Sequence, residues 1–388
     1  MEFARLPRLA LVLVAVVALF TVACLIAFWP SGSTDAKLAA SLQGPTYDAE
    51  VVGVRVTDCE FAAAGRCTMV ETRLTDGPDK GETVSFPTGA SAGDPDFVPG
   101  DAVLLASAGE EAVAQGLAKY SFVDYERRDP MLWLLAAFIV VVLVFGRRRG
   151  ALSLVGLAAS VAVIVVFLIP AILDGGPPLP VALTASFAVM LLTLGLAHGV
   201  GAKSVAAVLG TSASLLLTAL LAVAFTALAN ITGFSSEEAV LLQDAADKVS
   251  IQGLVIAGIV IGALGVLDDV TVSQASAVLA LRRTDPTLPF GRLYREAIDI
   301  GRDHVAATVN TLVLAYVGAS LPILLVFAVG DTPFGEAINR EAVSETIVGT
   351  LVGSIGLIAA VPLTTAVAAA LAVRMDGVPA LDGHAHAH

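Results

Sequence analysis

The chain has 388 residues and a formal net charge of −13 at pH 7. Hydrophobic residues make up 56% of it and charged residues only 15%, whereas about 25% charged residues are usual in soluble domains. So few charges cannot cover the surface of a soluble globular enzyme, and a disordered chain would need low hydrophobicity and high net charge. No basic domain indicates a nucleic-acid-binding protein. The composition therefore predicts a protein that crosses a membrane several times.

Eight apolar segments approach or exceed the roughly 20 residues that a membrane-spanning helix needs. They are residues 9–29, 131–145, 151–173, 179–196, 205–229, 253–281, 305–329 and 343–373. The predicted fold is a mainly α membrane protein with eight transmembrane helices. The chain has four predicted parts. These parts are an anchor helix in residues 1–30, a hydrophilic domain in residues 31–130, a seven-helix membrane domain in residues 131–374 and a tail in residues 375–388.

The basic residues determine the predicted orientation, because Lys and Arg concentrate in the cytoplasmic loops of membrane proteins. Outside residues 31–130, one side of the predicted topology carries Arg5, Arg8, Arg147, Arg148, Arg149, Lys203, Arg282, Arg283, Arg292, Arg295, Arg302 and Arg374. The other side carries Lys248 and Arg340. We therefore predict a multi-pass membrane protein with both termini cytoplasmic and residues 31–130 extracytoplasmic.

The extracytoplasmic segment has the pattern of five short β-strands separated by turn residues. The predicted strands are residues 47–56, 67–74, 82–86, 102–106 and 120–125. Five strands in this length indicate a small β-barrel-like domain, for which an OB-like barrel is one architecture. Cys59 and Cys67 lie at neighbouring strands in an oxidising compartment, so a disulfide is predicted. The alternative is two free thiols in a small core.

Three glycines in the span at 253–281 recur in the last span at a constant offset of 91. The pattern Gly258, Gly262 and Gly265 is repeated as Gly349, Gly353 and Gly356. Small residues at this spacing allow helices to approach closely, so we predict helix-packing glycines. We also predict a parallel hairpin repeat of residues 205–281 and 305–373; the alternative is that Gly- and Ala-rich helices align by chance. Between the spans at 205–229 and 253–281, Ser235 and Glu238 predict a capping box that opens an amphipathic helix.

Two adjacent acids, Asp268 and Asp269, lie near the middle of the span at 253–281. A charged aspartate near the bilayer centre costs about 2.5–3.5 kcal/mol, so such residues are functional candidates. Ser273 and Ser276 follow on the face of Asp269, and Asn310 of the next span is a further candidate partner. An oxygen-rich cluster of this kind suits protons, Na⁺ or other hard cations. The alternative is a structural role, in which the pair lies near the inner interface or is held by Asn310 and the backbone in helix packing.

No catalytic motif appears in the sequence, so we do not expect an enzyme or a cofactor. The metal content is left open, because three histidines at the end of the tail, His384, His386 and His388, could chelate a transition metal or be incidental. The expected partners are the lipid bilayer and an unknown small solute or ion. An envelope protein or a second copy of the chain is a further candidate partner.

Two motifs carry a family resemblance. The stretch Gly262-Ala-Leu-Gly265-Val-Leu-Asp268-Asp269-Val270 and the stretch from Gly301-Arg302-Asp303-His304 to Pro322 resemble the bacterial YibE/F-like membrane proteins. The resemblance implies a multi-pass inner-membrane protein whose function is not established. The family pattern has one acidic residue near position 268, whereas this chain has two.

Two functions from different classes are compatible with these patterns. The first is a permease or exporter of an unknown substrate, coupled to protons or cations through Asp268 and Asp269. The second is a non-transporting envelope scaffold or receptor, in which the outer β domain binds a partner and the helices anchor it.

Overall fold

The computed structural model describes residues 7–31, 45–58, 66–88, 95–108, 118–199, 201–246 and 248–375. The chain divides into two compact units. One unit is Asp35–Phe145, and the other combines Met1–Thr34 with Gly146–His388. Each unit has its own hydrophobic core.

The smaller unit contains the five predicted strands in one antiparallel sheet. The strands are β1 (Thr46–Asp58), β2 (Arg66–Leu74), β3 (Thr83–Thr88), β4 (Ala102–Ser107) and β5 (Tyr120–Tyr125). Their order across the sheet is β3-β2-β1-β4-β5, so β1 is the central strand. Each strand begins within two residues of its predicted start, because the alternation of apolar and polar residues reports directly which side chains face the core.

The sheet is curled, and its two edge strands approach each other. The rings of Phe86 on β3 and Phe122 on β5 stack with their centroids 5.7 Å apart. Val51, Val70 and Leu105 are almost completely buried beneath this contact. Aromatic stacking and aliphatic burial thus stabilise the curled form of the small sheet.

Cys67 on β2 is buried and disulfide-bonded. Its predicted partner, Cys59, lies outside the described residues, so the pairing stays a prediction. Cys24, in the first helix, is a free thiol.

A buried phenol in this unit is tied to an acid–base pair. The Tyr120 hydroxyl donates to Asp79 Oδ2 at 2.6 Å, and the Lys119 ammonium also bonds to that carboxylate. The Lys119 hydrogen bond, followed by that of Tyr120, lowers the pKa of Asp79. The hydrogen bond to the Asp79 carboxylate, with burial, raises the pKa of Tyr120 to about 12.

The helices run along the rest of the chain. They are α1 (Arg8–Ala27), α2 (Arg128–Val163), a π-helical turn (Ile164–Leu168), α3 (Ile169–Leu173), α4 (Pro178–His198), α5 (Ala202–Leu228), α6 (Glu237–Ala245), α7 (Ile251–Thr284), α8 (Phe290–Ala319), α9 (Leu321–Val329), α10 (Phe334–Ala337) and α11 (Glu341–Arg374). Within the described residues, six helical segments are long and apolar enough to cross a membrane, or seven if α8 and α9 count as one bent span.

The eight predicted spans are therefore not confirmed. The predicted spans 131–145 and 151–173 both fall in the segment Arg128–Leu173, which has 46 residues and counts as one candidate span. The backbone is nevertheless non-helical at Arg147, where φ is +48°. The predicted span 305–329 is bent by 59° between α8 and α9, where Pro322 lacks the N–H that would continue the helix.

The core of the larger unit is built around α7 and α11, which lie side by side. The Gln274 amide donates to the Thr365 hydroxyl at 2.7 Å, and Val270 and Val361 share one apolar cluster. Both pairs are separated by the offset of 91 that relates the two glycine patterns. The two helices therefore run in the same direction with equivalent positions in contact, although the hairpin repeat stays a prediction.

Close packing in this core depends on glycines that the sequence pattern only partly identified. A Cβ atom at Gly356 would lie 2.0 Å from the Thr218 hydroxyl oxygen of α5, so only glycine, which has no side chain, fits there without a shift. The same holds for Gly210, where a Cβ atom would lie 2.1 Å from the Thr364 hydroxyl oxygen. At Gly301 a Cβ atom would lie 2.5 Å from Val361. Neither Gly210 nor Gly301 belongs to the predicted glycine pattern.

The predicted amphipathic segment contains α6, but the predicted cap is wrong. Ser236 begins the helix, because its hydroxyl accepts a hydrogen bond from the Ala239 N–H at 3.2 Å. The Ser235 hydroxyl instead donates to Glu345 of α11 at 2.8 Å. A long-range contact thus takes the residue that the local motif assigned to capping.

Candidate functional site

The two acids lie at the centre of α7. This helix begins after Ser250, whose hydroxyl accepts from the Gly253 N–H at 3.1 Å, and it has 34 residues. At about 1.5 Å per residue, about 25 Å of helix lies on each side of Asp268. Each of these lengths exceeds half the thickness of a hydrocarbon core, which is about 15 Å. Asp268 thus lies at the midpoint of a helix that is longer than such a core is thick.

Asp268 points into the helical bundle. Its side chain is half-buried, and its Oδ2 atom lies 3.2 Å from the Thr193 hydroxyl oxygen of α4. Its Oδ1 atom is buried and has no hydrogen-bond partner in the described part of the chain. A buried carboxylate oxygen without a donor is costly, by about 1–3 kcal/mol or more for a charged group. Binding of a proton or a cation at this oxygen would therefore offset that free-energy cost.

Thr193 has competing hydrogen-bond partners. Its hydroxyl lies 2.9 Å from the Val189 carbonyl oxygen one turn earlier in α4, and 3.2 Å from that of Met190. A threonine hydroxyl has one proton to donate. If that proton goes to Val189, the contact with Asp268 is a hydrogen bond only when the carboxyl group carries a proton and donates it. The geometry can therefore accommodate both protonation states of Asp268.

Asp269 lies on the exposed side of α7 and makes no hydrogen bond in the described structure. The predicted oxygen cluster is not assembled around it. Ser273 donates to the Val270 carbonyl oxygen at 3.0 Å, and Ser276 donates to its own helix in the same way at 2.7 Å. Asn310 is exposed on α8, and no hydrogen bond joins it to either aspartate among the described residues.

The glycines of α7 lie on the side of Asp269. A Cβ atom at Gly258 or Gly265 would meet no atom within 4 Å, and one at Gly262 would meet only the Tyr316 hydroxyl oxygen at 3.5 Å. In α11, a Cβ atom would lie 3.5 Å from Ile259 at Gly349 and 3.8 Å from Leu312 at Gly353. Of the six predicted packing glycines, only Gly356 therefore meets another helix too closely for a side chain within the described chain.

The polar surroundings of Asp268 come from helices that the sequence did not assign to the site. Besides Thr193, the Thr211 and Thr271 hydroxyl oxygens lie 2.7 Å apart and join α5 to α7 less than one turn beyond the carboxylate. Isolated threonines in apolar helices were the only sequence signal for Thr193 and Thr211. Their partners are 75 and 60 residues away, so the pairing required the helix packing.

Within the described ranges, no group of three or more His, Cys, Asp and Glu side chains is placed to hold a metal ion. The histidines of the tail lie outside those ranges, so both alternatives for them, metal chelation and an incidental tail, stay open.

A family model described as YibE/F-like protein matches residues 134–374, which is well over half of the chain. The chain belongs to the YibE/F-like family. In this YibE/F-like protein the match includes Asp268, Asp269 and the α7–α11 pair, whereas the β-sheet lies outside it. No curated protein and no solved structure gives a significant match to the chain. The family match agrees with a membrane protein that contains several apolar helices.

Proposed function

We propose that this YibE/F-like protein is a secondary permease or exporter, coupled to protons or cations through Asp268. The observation that carries the proposal is the unpartnered carboxylate oxygen inside the helical bundle, at the centre of α7. A structural aspartate would be expected to have both oxygens hydrogen-bonded. An aspartate that binds and releases an ion needs an oxygen that is free in one state of the cycle.

Asp269 is proposed as the second acid of the coupling site. Adjacent positions in a helix point about 100° apart, so Asp268 faces the bundle while Asp269 faces outward. A charged side chain that faced lipid would cost about 2.5–3.5 kcal/mol. We therefore propose that the exposed side of α7 lines water in the membrane. An ion that reaches Asp269 from this water is then one residue from the buried carboxylate.

We also propose the finer features of topology. The non-helical backbone at Arg147 favours two spans within Arg128–Leu173, which with the bent α8–α9 span gives eight crossings. The basic residues favour cytoplasmic termini and an extracytoplasmic β unit. We propose a bacterial inner membrane because the YibE/F-like resemblance implies one. The approach of β3 to β5 favours an OB-like barrel.

The test is ion flux into proteoliposomes that contain the purified full chain. Wild type, Asp268→Asn and Asp269→Asn are compared under proton, Na⁺ and K⁺ gradients. The matched control is Asp331→Asn, since Asp331 is exposed outside α7 and its left-handed backbone suits asparagine. We expect Asp268→Asn to lower flux by about tenfold or more, the loss for one strong interaction with a charged group.

Wild-type flux at the background of empty liposomes for all three ions would contradict the permease. So would an Asp268→Asn rate equal to that of wild type. That outcome would leave the scaffold, in which the separately folded β unit binds an envelope partner, as the better explanation.

A further inference from the structure

A cavity of about 400 Å³ lies where α7 and α11 begin. Gly258 of α7 and Gly349 of α11 both line it, and these are equivalent positions of the two glycine patterns. A side chain at Gly258 would extend into open space rather than against a neighbouring helix. These glycines therefore leave room between the two helices for a ligand.

One carboxylate provides the charge of this cavity. Glu345 of α11 is half-buried at the cavity wall, and its Oε2 atom accepts the 2.8 Å hydrogen bond from Ser235. Its Oε1 atom receives no hydrogen bond from any described residue. The hydroxyl groups of Tyr316 and Thr346 are on residues that line the same cavity. The cavity wall thus offers the Glu345 carboxylate as a hydrogen-bond acceptor.

The segment that carries Ser235 is anchored independently of Glu345. Glu341, one turn earlier in α11, accepts hydrogen bonds from the backbone N–H groups of Thr232 and Gly233, each at 2.6 Å. It also accepts from the Thr232 hydroxyl at 2.8 Å. Because Glu341 fixes the loop, Glu345 is not needed for that purpose and its second oxygen remains available to a ligand.

The remaining wall sets the class of ligand. None of the described residues that line the cavity is Lys, Arg or His, so no basic side chain among them neutralises Glu345. Five of the thirteen described wall residues are aliphatic, among them Leu254, Val255 and Ile259. A cavity of this volume is in the range that holds a small organic molecule, whereas a bare metal ion would fill little of it.

We propose that this cavity binds a small organic cation, with a protonated amine at Glu345 and an apolar body against the aliphatic wall. The proposal names the substrate class of the permease and rests on that function for the transport step alone. Asp269 lies eleven residues beyond Gly258 on the same side of α7, about 16 Å along the axis. Gly262 and Gly265 lie between them on that side, so a ligand leaving the cavity would pass small residues on its way to the acid.

The test is equilibrium binding to the detergent-purified full chain, with protein-free micelles as the blank. The probe is radiolabelled phenethylamine, and 2-phenylethanol is its uncharged analogue. We expect the amine to bind and the alcohol to bind at least about tenfold more weakly, since a charge-assisted hydrogen bond contributes roughly that factor. Glu345→Gln should weaken amine binding by a similar factor. Glu336→Gln, an exposed carboxylate paired with Arg340, should not change it.

A second pair of variants tests the cavity by volume. Gly258→Leu should abolish amine binding by filling the space, whereas Gly265→Leu, also in open space on α7 but outside the cavity wall, should not. Equal binding of amine and alcohol, or wild-type affinity in both Glu345→Gln and Gly258→Leu, would overturn the proposal.

Binding and transport can fail separately. Asp268→Asn should retain amine binding, because that acid is about 15 Å along α7 from Gly258. Amine binding that depends on Glu345 would support the cavity even if no ion flux were found, in which case only the permease would be rejected. Ion flux that depends on Asp268, without amine binding to wild type, would reject the cavity alone.

Discussion

Two glycines at equivalent positions of the repeated pattern should respond oppositely to the same substitution. A Cβ atom at Gly356 would lie 2.0 Å from the Thr218 hydroxyl oxygen and 3.3 Å from its Cβ atom. At Gly265, 91 residues earlier, it would meet nothing within 4 Å. Overpacking of this kind costs about 1–3 kcal/mol. Alanine in place of glycine in a helix contributes up to about 1 kcal/mol in the other direction.

The net expectation is that Gly356→Ala lowers the free energy of unfolding by about 1–2 kcal/mol. Gly265→Ala should leave it unchanged or raise it by up to about 1 kcal/mol. The measurement is unfolding of the full chain by SDS in mixed micelles, followed by far-ultraviolet circular dichroism. Both variants start from glycine in a long helix, so the difference between them reports the contact with Thr218.

A double-mutant cycle identifies the clash. Thr218→Ala removes the hydroxyl that donates to the Ser214 carbonyl oxygen at 2.8 Å, and it should cost about 1 kcal/mol in the wild-type background. With Gly356→Ala already present, the same change should relieve the overlap, giving a coupling energy of about 1–2 kcal/mol. Equal effects of the two glycine substitutions, or additivity within about 0.5 kcal/mol, would refute the reasoning.

Three further predictions concern the β unit and the topology. Tyr120→Phe should remove one phenol, with a pKa of about 12, from the absorbance titration of the protein at 295 nm. Because the hydrogen bond to Asp79 raises the pKa of Tyr120 above the usual value of about 10, this hydrogen bond stabilises the fold fully below pH 10 and is lost as the pH rises through 12. Peptide mapping without reductant should recover Cys67 linked to Cys59, and reduction should lower the stability of the unit by roughly 2–3 kcal/mol, whereas recovery of the two peptides separately would contradict the pairing. Arg340→Cys should react with a membrane-impermeant maleimide in intact cells, and labelling only after permeabilisation would reverse the orientation.

Secondary structure was largely predictable, because it depends on local pattern. The strand β5 was predicted at its observed bounds, and α7 and α11 contain their predicted apolar segments. The predicted cap of α6 was wrong because a tertiary contact overrides the local motif: Ser235 donates to Glu345 instead of capping the helix.

The candidate site was predictable only in part. The position of the acids in α7 follows from counting residues, and the rarity of charge in an apolar helix singles them out. The direction in which each acid points depends on how the helix is rotated against its neighbours. The rotation of α7 brings Asp268 into contact with Thr193. The packing of α8 leaves Asn310 exposed.

The sequence by itself determined that this protein is built from several long apolar helices with a small β unit, and that two acids lie at the centre of one helix. Those properties follow from the composition and from the spacing of apolar residues, which are local features of the sequence and do not depend on distant parts of the chain. Only the tertiary structure decided which glycines pack against another helix and which line a cavity, because the glycine pattern in the sequence is the same in both cases. It also decided that Glu345 of the last helix shares a cavity with Gly258, because only the packing of α7 against α11 brings these residues together.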